Sequence, residues 1–291
     1  MLSLQTNAAS LSAQNSVSST QNKLSTSMTR LSTGFRINSA SDDAAGLQIA
    51  TRLKSQTSGM AVAMRNTQNA TSMLQTAEGA LDEVTNIMGR MKDLATQSAD
   101  ASSSTDDQTA MQKEFDSLTD ELSNIFSNTK FGGTSLLSTT GKLASAMTFQ
   151  IGADSSEKMT ANFTTELVTN VHANIKLAAT AFSAAGTSAA AGAEISTGTA
   201  ANGTIGKLAT AIDNVSSLRS KIGATVNRLD HVYNNLSNIS TNTQAATGRI
   251  MDVDFATESA KMTSSQMLMQ AGTAMLKQTN QMSSMVMSLL Q

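Results

Sequence analysis

Not one proline interrupts the 291 residues. Proline fixes φ, lacks an N–H and breaks helices, so a chain without it is free to build very long helices. The two ends use that freedom. Each is a long segment with apolar side chains at helical spacing and almost no charge. The first 35 residues carry only Lys23 and Arg30, and the last 37 carry only Glu258, Lys261 and Lys277. That last stretch still holds Met267, Leu268, Met269, Met275, Leu276, Met282, Met285, Val286, Met287, Leu289 and Leu290. A helix apolar on more than one face cannot bury every such side chain against one partner element. Ends of this kind require other subunits.

Composition narrows the class further. Only 3% of the chain is aromatic, with no Trp, one Tyr and eight Phe, so the usual large fillers of a multilayer core are scarce. Ala, Leu, Ile, Val and Met are what helix seams use instead. The expected fold is mainly α and elongated, built of long antiparallel coiled-coil helices. The net charge is -2 and no lysine or arginine run could neutralise a row of phosphates, so nucleic acid is not expected as a partner. No stretch reaches the roughly 18 apolar residues of a membrane span, so no membrane insertion is expected. The opening residues MLSLQTNAASLSAQNSVSS lack the charged flank and apolar block of a cleaved secretory signal, so export would use another route. Cysteine is absent, which excludes disulfides and thiolate chemistry together.

The clearest periodicity is Leu208, Ile212, Val215, Arg219, Ile222, Val226, Leu229, Tyr233 and Leu236, in 4-3 spacing over four heptads and broken only by Arg219. A second stripe reads Leu53, Thr57, Met60, Met64, Thr67, Thr71 and Leu74, then slips phase to Ala77, Leu81, Val84, Met88, Met91 and Ala95. One helix from Ala44 to Ser98 would be about 80 Å long at the usual rise. The Ser/Thr/Asp cluster DASSSTDD suits an N-cap for a third helix through Met111, Phe115, Leu118, Leu122 and Ile125, ending near Asn128. Beyond it, Met147, Phe149 and Ile151 alternate, a turn follows at ADSSE, and Met159, Ala161 and Phe163 alternate again, which predicts one small β-hairpin. From Leu177 to Asn202 the chain is mostly Ala, Gly, Ser and Thr and reads as a flexible surface connection.

Little in the chain points to catalysis. His172 and His231 are far apart, and no HExxH pair, glycine-rich phosphate loop or nucleophile elbow occurs. No enzyme activity, cofactor or metal is expected. The 18 methionines suit interfaces that must slide between packings better than a metal site.

Two long motifs then carry a resemblance. LSTGFRINSASDDAAGLQIA near one end and GRIMDVDFATESAKM near the other, followed by QAGTAMLKQTNQ and the closing MSLLQ, resemble bacterial flagellins. The matching residues include Gly34, Arg36, Asn38, Asp42, Asp43 and Gly46, then Arg249, Asp252, Asp254 and Glu258. The resemblance implies a subunit that polymerises into the bacterial flagellar filament. Its inner, channel-lining layer would be residues 1–40 with 245–291. The outer layer would be 41–176 and the returning helix 203–244, joined by a short variable loop at 177–202 in place of large inserted domains. Polymerisation would rest on Leu4, Leu11, Leu24, Met28, Leu31, Met269, Leu276, Val286, Leu289 and Leu290. Arg36, Asn38, Asp42, Asp43, Arg249, Asp252 and Asp254 would lie at contacts between layers or subunits, while Ser41, Asp42 and Asp43 also suit a plain helix cap.

The implied partners are further copies of the chain, cap and hook-junction proteins, and an export chaperone on the C-terminal segment. The filament would be secreted and extracellular. MGRMKDLATQSAD also resembles the stretch that Toll-like receptor 5 recognises in many flagellins, with Arg90, Leu94 and Glu114 at the matching places and a departure at Gly89. The plain reading of that stretch is a solvated helix face. Rival readings of the whole chain are a hook–filament junction protein, a signalling coiled-coil rod and a secreted pore-forming translocator.

Overall fold

The computed structural model describes residues 7–186 and 192–289, with the backbone alone for 282–289. The chain runs α1 (Ala8–Thr33), α2 (Ala44–Ser98), α3 (Thr105–Asn128), β1 (Lys130–Phe131), β2 (Thr134–Ser135), a 3₁₀ turn at Lys142–Ala144, β3 (Met147–Gln150), β4 (Lys158–Ala161), π-helical turns at Thr165–His172, α4 (Ala173–Ala178), α5 (Gly198–Met251) and α6 (Phe255–Leu289). It divides into a terminal unit, residues 1–57 with 241–291, and a central unit, residues 58–240. The mainly α class with long helices and a small hairpin is the one the sequence predicts.

Why these residues stop and start helices is local chemistry. Ser104 caps α3 in a reciprocal box, accepting from the Asp107 N–H at 3.2 Å while the Asp107 carboxylate accepts from the Ser104 N–H at 3.1 Å. The expected hairpin forms as β3 against β4, pairing Met147 with Ala161 and Phe149 with Met159. A second, two-residue ladder was not foreseen. Gly132 and Gly133, expected only as the end of α3, take φ of +56° and +80° and close β1 on β2 as a type I′ turn.

The central unit has a dense core. Phe115, Phe126, Phe163, Leu74, Leu81, Met88, Met91, Leu122, Leu136 and Leu137 are fully buried. The scarce aromatics are concentrated here, and Phe126 meets His172 and Phe182 edge-on with ring centroids 5.3 Å away in each case.

Both predicted stripes need correction. Along α2 the buried positions include Met60, Ala63, Thr67, Ala70, Leu74, Ala77, Leu81, Val84, Met88, Met91, Ala95 and Ser98, a seam in unbroken 3-4 alternation with no phase slip, with Met73, Ile87 and Leu94 buried beside it. Met64 and Thr71 flank the seam, and the alanines beside them fill it. Along α5 the seam is Ala201, Thr204, Leu208, Ala211, Val215, Leu218, Ile222, Thr225, Leu229 and Leu236. Ile212, Arg219, Val226 and Tyr233 are its half-buried flank. Arg219 therefore breaks nothing. Its guanidinium reaches Glu78 at 2.7 Å and Asp82 at 2.9 Å on α2, where it clamps the edge of the packed faces. Close helix approach favours small residues in the seam, and a search for large apolar side chains passes over them.

The stretch 177–202 is also corrected in its described part. Ala178, Ala179, Ala181, Phe182, Ala184, Ile195 and Ala201 are buried, and α5 begins at Gly198. Gln112 pins the segment from α3, accepting from the Ile195 N–H at 2.8 Å and donating to Glu194 at 3.1 Å. Glu194 in turn accepts from the backbone and hydroxyl of Thr180, and Ser98 donates to the Ile195 carbonyl. Small side chains are what let this backbone lie close on the core. Helix α5 runs on past the expected layer boundary between 244 and 245 and ends at Met251, whereas the terminal unit already begins at Thr241.

Candidate functional site

In the terminal unit α1 and α6 run antiparallel. Asn7 Nδ2 donates to the Thr279 carbonyl at 3.5 Å, Ser10 Oγ to Asn280 Oδ1 at 3.3 Å and Ser27 Oγ to Glu258 Oε1 at 2.6 Å. The seam between them mixes small and polar side chains with a few apolar ones. On α1 the shielded positions of the seam are Ser10, Ala13, Val17, Thr20, Leu24 and Ser27, followed by Arg30 and Leu31. On α6 they are Glu258, Met262, Ser265, Met269, Gly272, Leu276 and Thr279. Both sets keep coiled-coil spacing. Gly272 lets the helices touch, since a Cβ there would lie 2.6 Å from Val17.

The large apolar side chains lie mostly off that seam. Leu11, Met28, Phe35, Ile49, Phe255, Met267, Leu268 and Met275 are exposed, and only Leu24, Ile37 and Ala50 are buried apolar residues of this unit among the described residues. A soluble chain does not normally leave such a surface uncovered.

At the lower end of the pair, α1 stops on Gly34, whose φ of +76° is left-handed and whose N–H reaches the Arg30 carbonyl at 2.9 Å. The next residues bridge to the turn between α5 and α6. Phe35 pairs with Asp252, the Arg36 N–H donates to the Met251 carbonyl at 2.6 Å, and the Val253 N–H donates to the Gly34 carbonyl at 3.0 Å. The Arg36 guanidinium adds a bond to the Ile250 carbonyl at 2.8 Å. Asp42 organises the loop by accepting from the N–H groups of Asn38 (3.1 Å) and Ser39 (2.9 Å) and from the Ser39 hydroxyl. Those donors, Asn38 first, hold its carboxyl below the usual aspartate range, with Arg30 adding a smaller pull. Asp43 is the residue that caps α2, accepting from the Gly46 N–H at 2.8 Å. A Cβ on Gly46 would collide with that carboxylate and with Ile37. Asp254 caps α6 through Ala256 and Thr257, and the Thr257 hydroxyl is the main cause of its lowered pKa.

Glu258 is the centre of the unit. It is buried, takes the Ser27 hydroxyl, and lies 3.9 Å from Arg30 and 3.6 Å from Lys261. Arg30 also reaches Asp42 at 4.0 Å, so α1, α6 and the loop after α1 share one polar knot.

The site residues expected from sequence are thus partly brought together. Arg36, Asn38, Asp42, Asp43, Asp252 and Asp254 all hold the junction within one subunit, and Arg249 lines a shallow groove with Asp252 and Asp254. Leu24, Leu31, Met269 and Leu276 lie at or beside the seam, while Leu11 and Met28 face outward. Leu4 and Leu290 lie outside the described residues, as do the side chains of Val286 and Leu289. In the central unit, Arg90 and Glu114 form an exposed pair at 2.7 Å between α2 and α3. Leu94 is corrected. It is 2% exposed and packs in the core, so it offers no surface to a partner in this fold. Ser27, Arg30, Val17 and Gly272 were missed as site residues. Their signal was the coiled-coil spacing of small residues, and Glu258 is the only acid in the last 37 residues.

Two family models match the chain, the bacterial flagellin N-terminal helical region over residues 4–142 and the bacterial flagellin C-terminal helical region over residues 205–290. The chain belongs to the bacterial flagellin family. A flagellin of Halalkalibacterium halodurans is 37% identical over 88% of this chain and 88% of its own length. The Bacillus subtilis flagellin is 36% identical over 98% of each chain. Flagellin A of Vibrio anguillarum is 33% identical over the full length of both, but its alignment runs to 380 positions, so this chain is a short flagellin. A solved structure from Vibrio parahaemolyticus, titled as a candidate flagellar hook-associated protein, covers 72% of this chain and all of its own with a TM-score of 0.57. At 18% identity that likeness concerns the fold. As a flagellin the chain is a structural subunit of the bacterial flagellar filament. No described helix is long and apolar enough to cross a membrane.

Proposed function

We propose that the terminal unit is the part of this filament subunit that polymerises, with α1 and α6 lining the filament's central channel and the central unit forming the layer around them. The observation that carries this reading is that, among the described residues, Leu24 is the one apolar side chain of the α1–α6 pair that is buried, while Leu11, Met28, Met267, Leu268 and Met275 stay exposed. Covering the exposed half of one such side chain with a neighbouring copy is worth about 1 kcal/mol, so a repeated contact of several of them favours assembly. A head-to-tail contact that does not close on itself grows a helical filament. Arg36, Asn38, Asp42, Asp43, Arg249, Asp252 and Asp254 serve contacts between layers or subunits, and Leu4, Val286, Leu289 and Leu290 belong with the residues on which polymerisation rests. Small shifts at the packed seams let subunits differ slightly in length, which is what a supercoiled propeller needs.

The same reading includes export to the cell exterior as an unfolded chain, a chaperone on the C-terminal segment before export, and cap and hook-junction proteins at the filament ends. Arg90 and Glu114 are the exposed residues that a host Toll-like receptor 5 would meet.

The test is negative-stain electron microscopy of the purified chain after salting-out with ammonium sulfate, beside a chain lacking residues 255–291 and the double variant Leu289→Asp with Leu290→Asp. Long filaments from the full chain alone are expected. Normal filaments from either variant would sink the terminal-unit assignment. Short stubs or stable monomers from the full chain would favour a hook–filament junction protein.

A further inference from the structure

Methionine is the one oxidisable side chain this flagellin has in quantity, with 18 methionines and no cysteine. The fold sorts the described ones. In the central unit Met60, Met73, Met88, Met91, Met111 and Met159 are buried, none more than 8% exposed, and Met64 and Met147 are partly buried. In the terminal unit Met28 is 50% exposed, Met267 59% and Met275 62%. Met275 lies two helical turns beyond Leu268 on one stripe of α6, with Met267 beside it, and Met28 is the corresponding outward residue of α1. These thioethers belong to the surface that has no partner within the subunit. Met262 and Met269, by contrast, sit half-buried in the seam.

We propose that Met28, Met267 and Met275 form an oxidation site that decides whether a free subunit can polymerise, an inference that rests on the terminal unit being the assembly face. The co-reactant is a peroxide. The Met Sδ lone pair attacks one peroxide oxygen, the S–O bond forms as the O–O bond breaks, and the departing oxygen leaves as water after taking the second proton. Sulfur is oxidised by two electrons and the peroxide is reduced by two, with no net proton released. A flexible apolar side chain becomes a polar sulfoxide. Buried between copies without a hydrogen-bond donor, that oxygen opposes assembly, because an unpartnered polar group in an interface carries its full desolvation cost. The seam of α1 and α6 and the core of the central unit keep their thioethers, so the oxidised subunit stays folded and loses only its sticky face. The lesion is reversible by methionine sulfoxide reductases. Once copies cover the face, the same three residues are shielded, so the filament resists what the free subunit does not.

The experiment treats the full-length monomer with hydrogen peroxide, removes the peroxide with catalase, and maps sulfoxides by peptide mass spectrometry. It then measures the critical concentration for ammonium sulfate-induced assembly by sedimentation. The expected result is oxidation of Met28, Met267 and Met275 at least tenfold faster than Met88 and Met91, a critical concentration raised at least tenfold, unchanged helical content of the central unit, and recovery after treatment with the two reductases. The triple variant Met28→Leu, Met267→Leu, Met275→Leu keeps every other methionine, and it should assemble equally well before and after peroxide. Oxidised native chain that assembles normally overturns the proposal, and so does inhibition that persists in the triple variant. If the triple variant fails to assemble at all, recovery of the oxidised native chain by the reductases decides, absence of recovery counting against the proposal. Failure of the untreated native chain to assemble would instead sink the terminal-unit reading itself.

Discussion

The central and terminal units are built from the same kind of helix with opposite accounts of where apolar surface goes. Among the described residues of the central unit 40 apolar residues are buried, and only Val62, Leu177 and Ile239 are large apolar residues left exposed. In the terminal unit three are buried and eight large ones are exposed, among the described residues. One is held by packing. The other is held by a seam of small, polar and half-buried apolar side chains, a glycine contact and the knot around Glu258. The difference teaches that a helix pair can be specified by polar register while its hydrophobic surface is reserved for another molecule.

The sharpest way to break this contrast is Phe126→Ala, which empties a fully buried site beside His172 and Phe182. A loss of about 3–5 kcal/mol in denaturant unfolding of the central unit is expected, by analogy with other buried aromatic truncations. A loss under about 1 kcal/mol would mean this core does not hold the unit.

Glu258→Ala is the matching cut in the terminal unit. It strips Ser27 and Arg30 of their shared acceptor, a loss of about 1–3 kcal/mol for a buried hydrogen bond to a charged group. Amide exchange in α1 and α6 should speed up while that in α3 stays unchanged. Equal acceleration in both units would erase the division.

Acid should separate the units as well. His172 is buried against Phe126 and Phe182, and desolvation lowers its pKa although the Leu137 carbonyl at 2.8 Å opposes that shift. The unfolded chain then binds the proton more readily than the folded one, so stability is present above the ordinary histidine value of about 6.5 and is lost as pH falls below it. Glu166 and Glu194, both with lowered pKa, lose their contributions only in the more acid carboxylate range. The central unit should therefore melt at a lower temperature at pH 5 than at pH 7. His172→Gln, which keeps an N–H for Leu137, should flatten that slope, and an unchanged slope would assign it elsewhere.

The smallest effect expected is that of Arg90→Ala. The Arg90–Glu114 pair is short but about half exposed on both sides, and such pairs contribute under about 1 kcal/mol. A larger change in melting would show that the pair organises α2 and α3.

Much of this was legible beforehand. The absence of proline and the heptad spacing gave α2 its observed bounds, Ala44–Ser98, and the Ser/Thr/Asp clusters marked where α2 and α3 begin. The alternation of Met147, Phe149, Met159 and Ala161 located β3 and β4. The seams were misread by one residue because Ala63, Ala70, Ala211 and Leu218 compete with larger or equal neighbours, and only contact decides which side of a ridge is buried. The 177–202 stretch misled for the same reason. Ala178, Ala179, Ala181, Ala184 and Ala201 looked like linker and are packing surface.

By itself the sequence determined that this chain would be long helices with uncovered ends, since periodicity, charge and proline content act within one element. What only the tertiary structure decided was which residues face which partner. Ser27, Gly272 and Glu258 acquire their meaning from residues more than 200 positions away, and no local pattern encodes a contact whose energy exists only when the two ends of the chain meet.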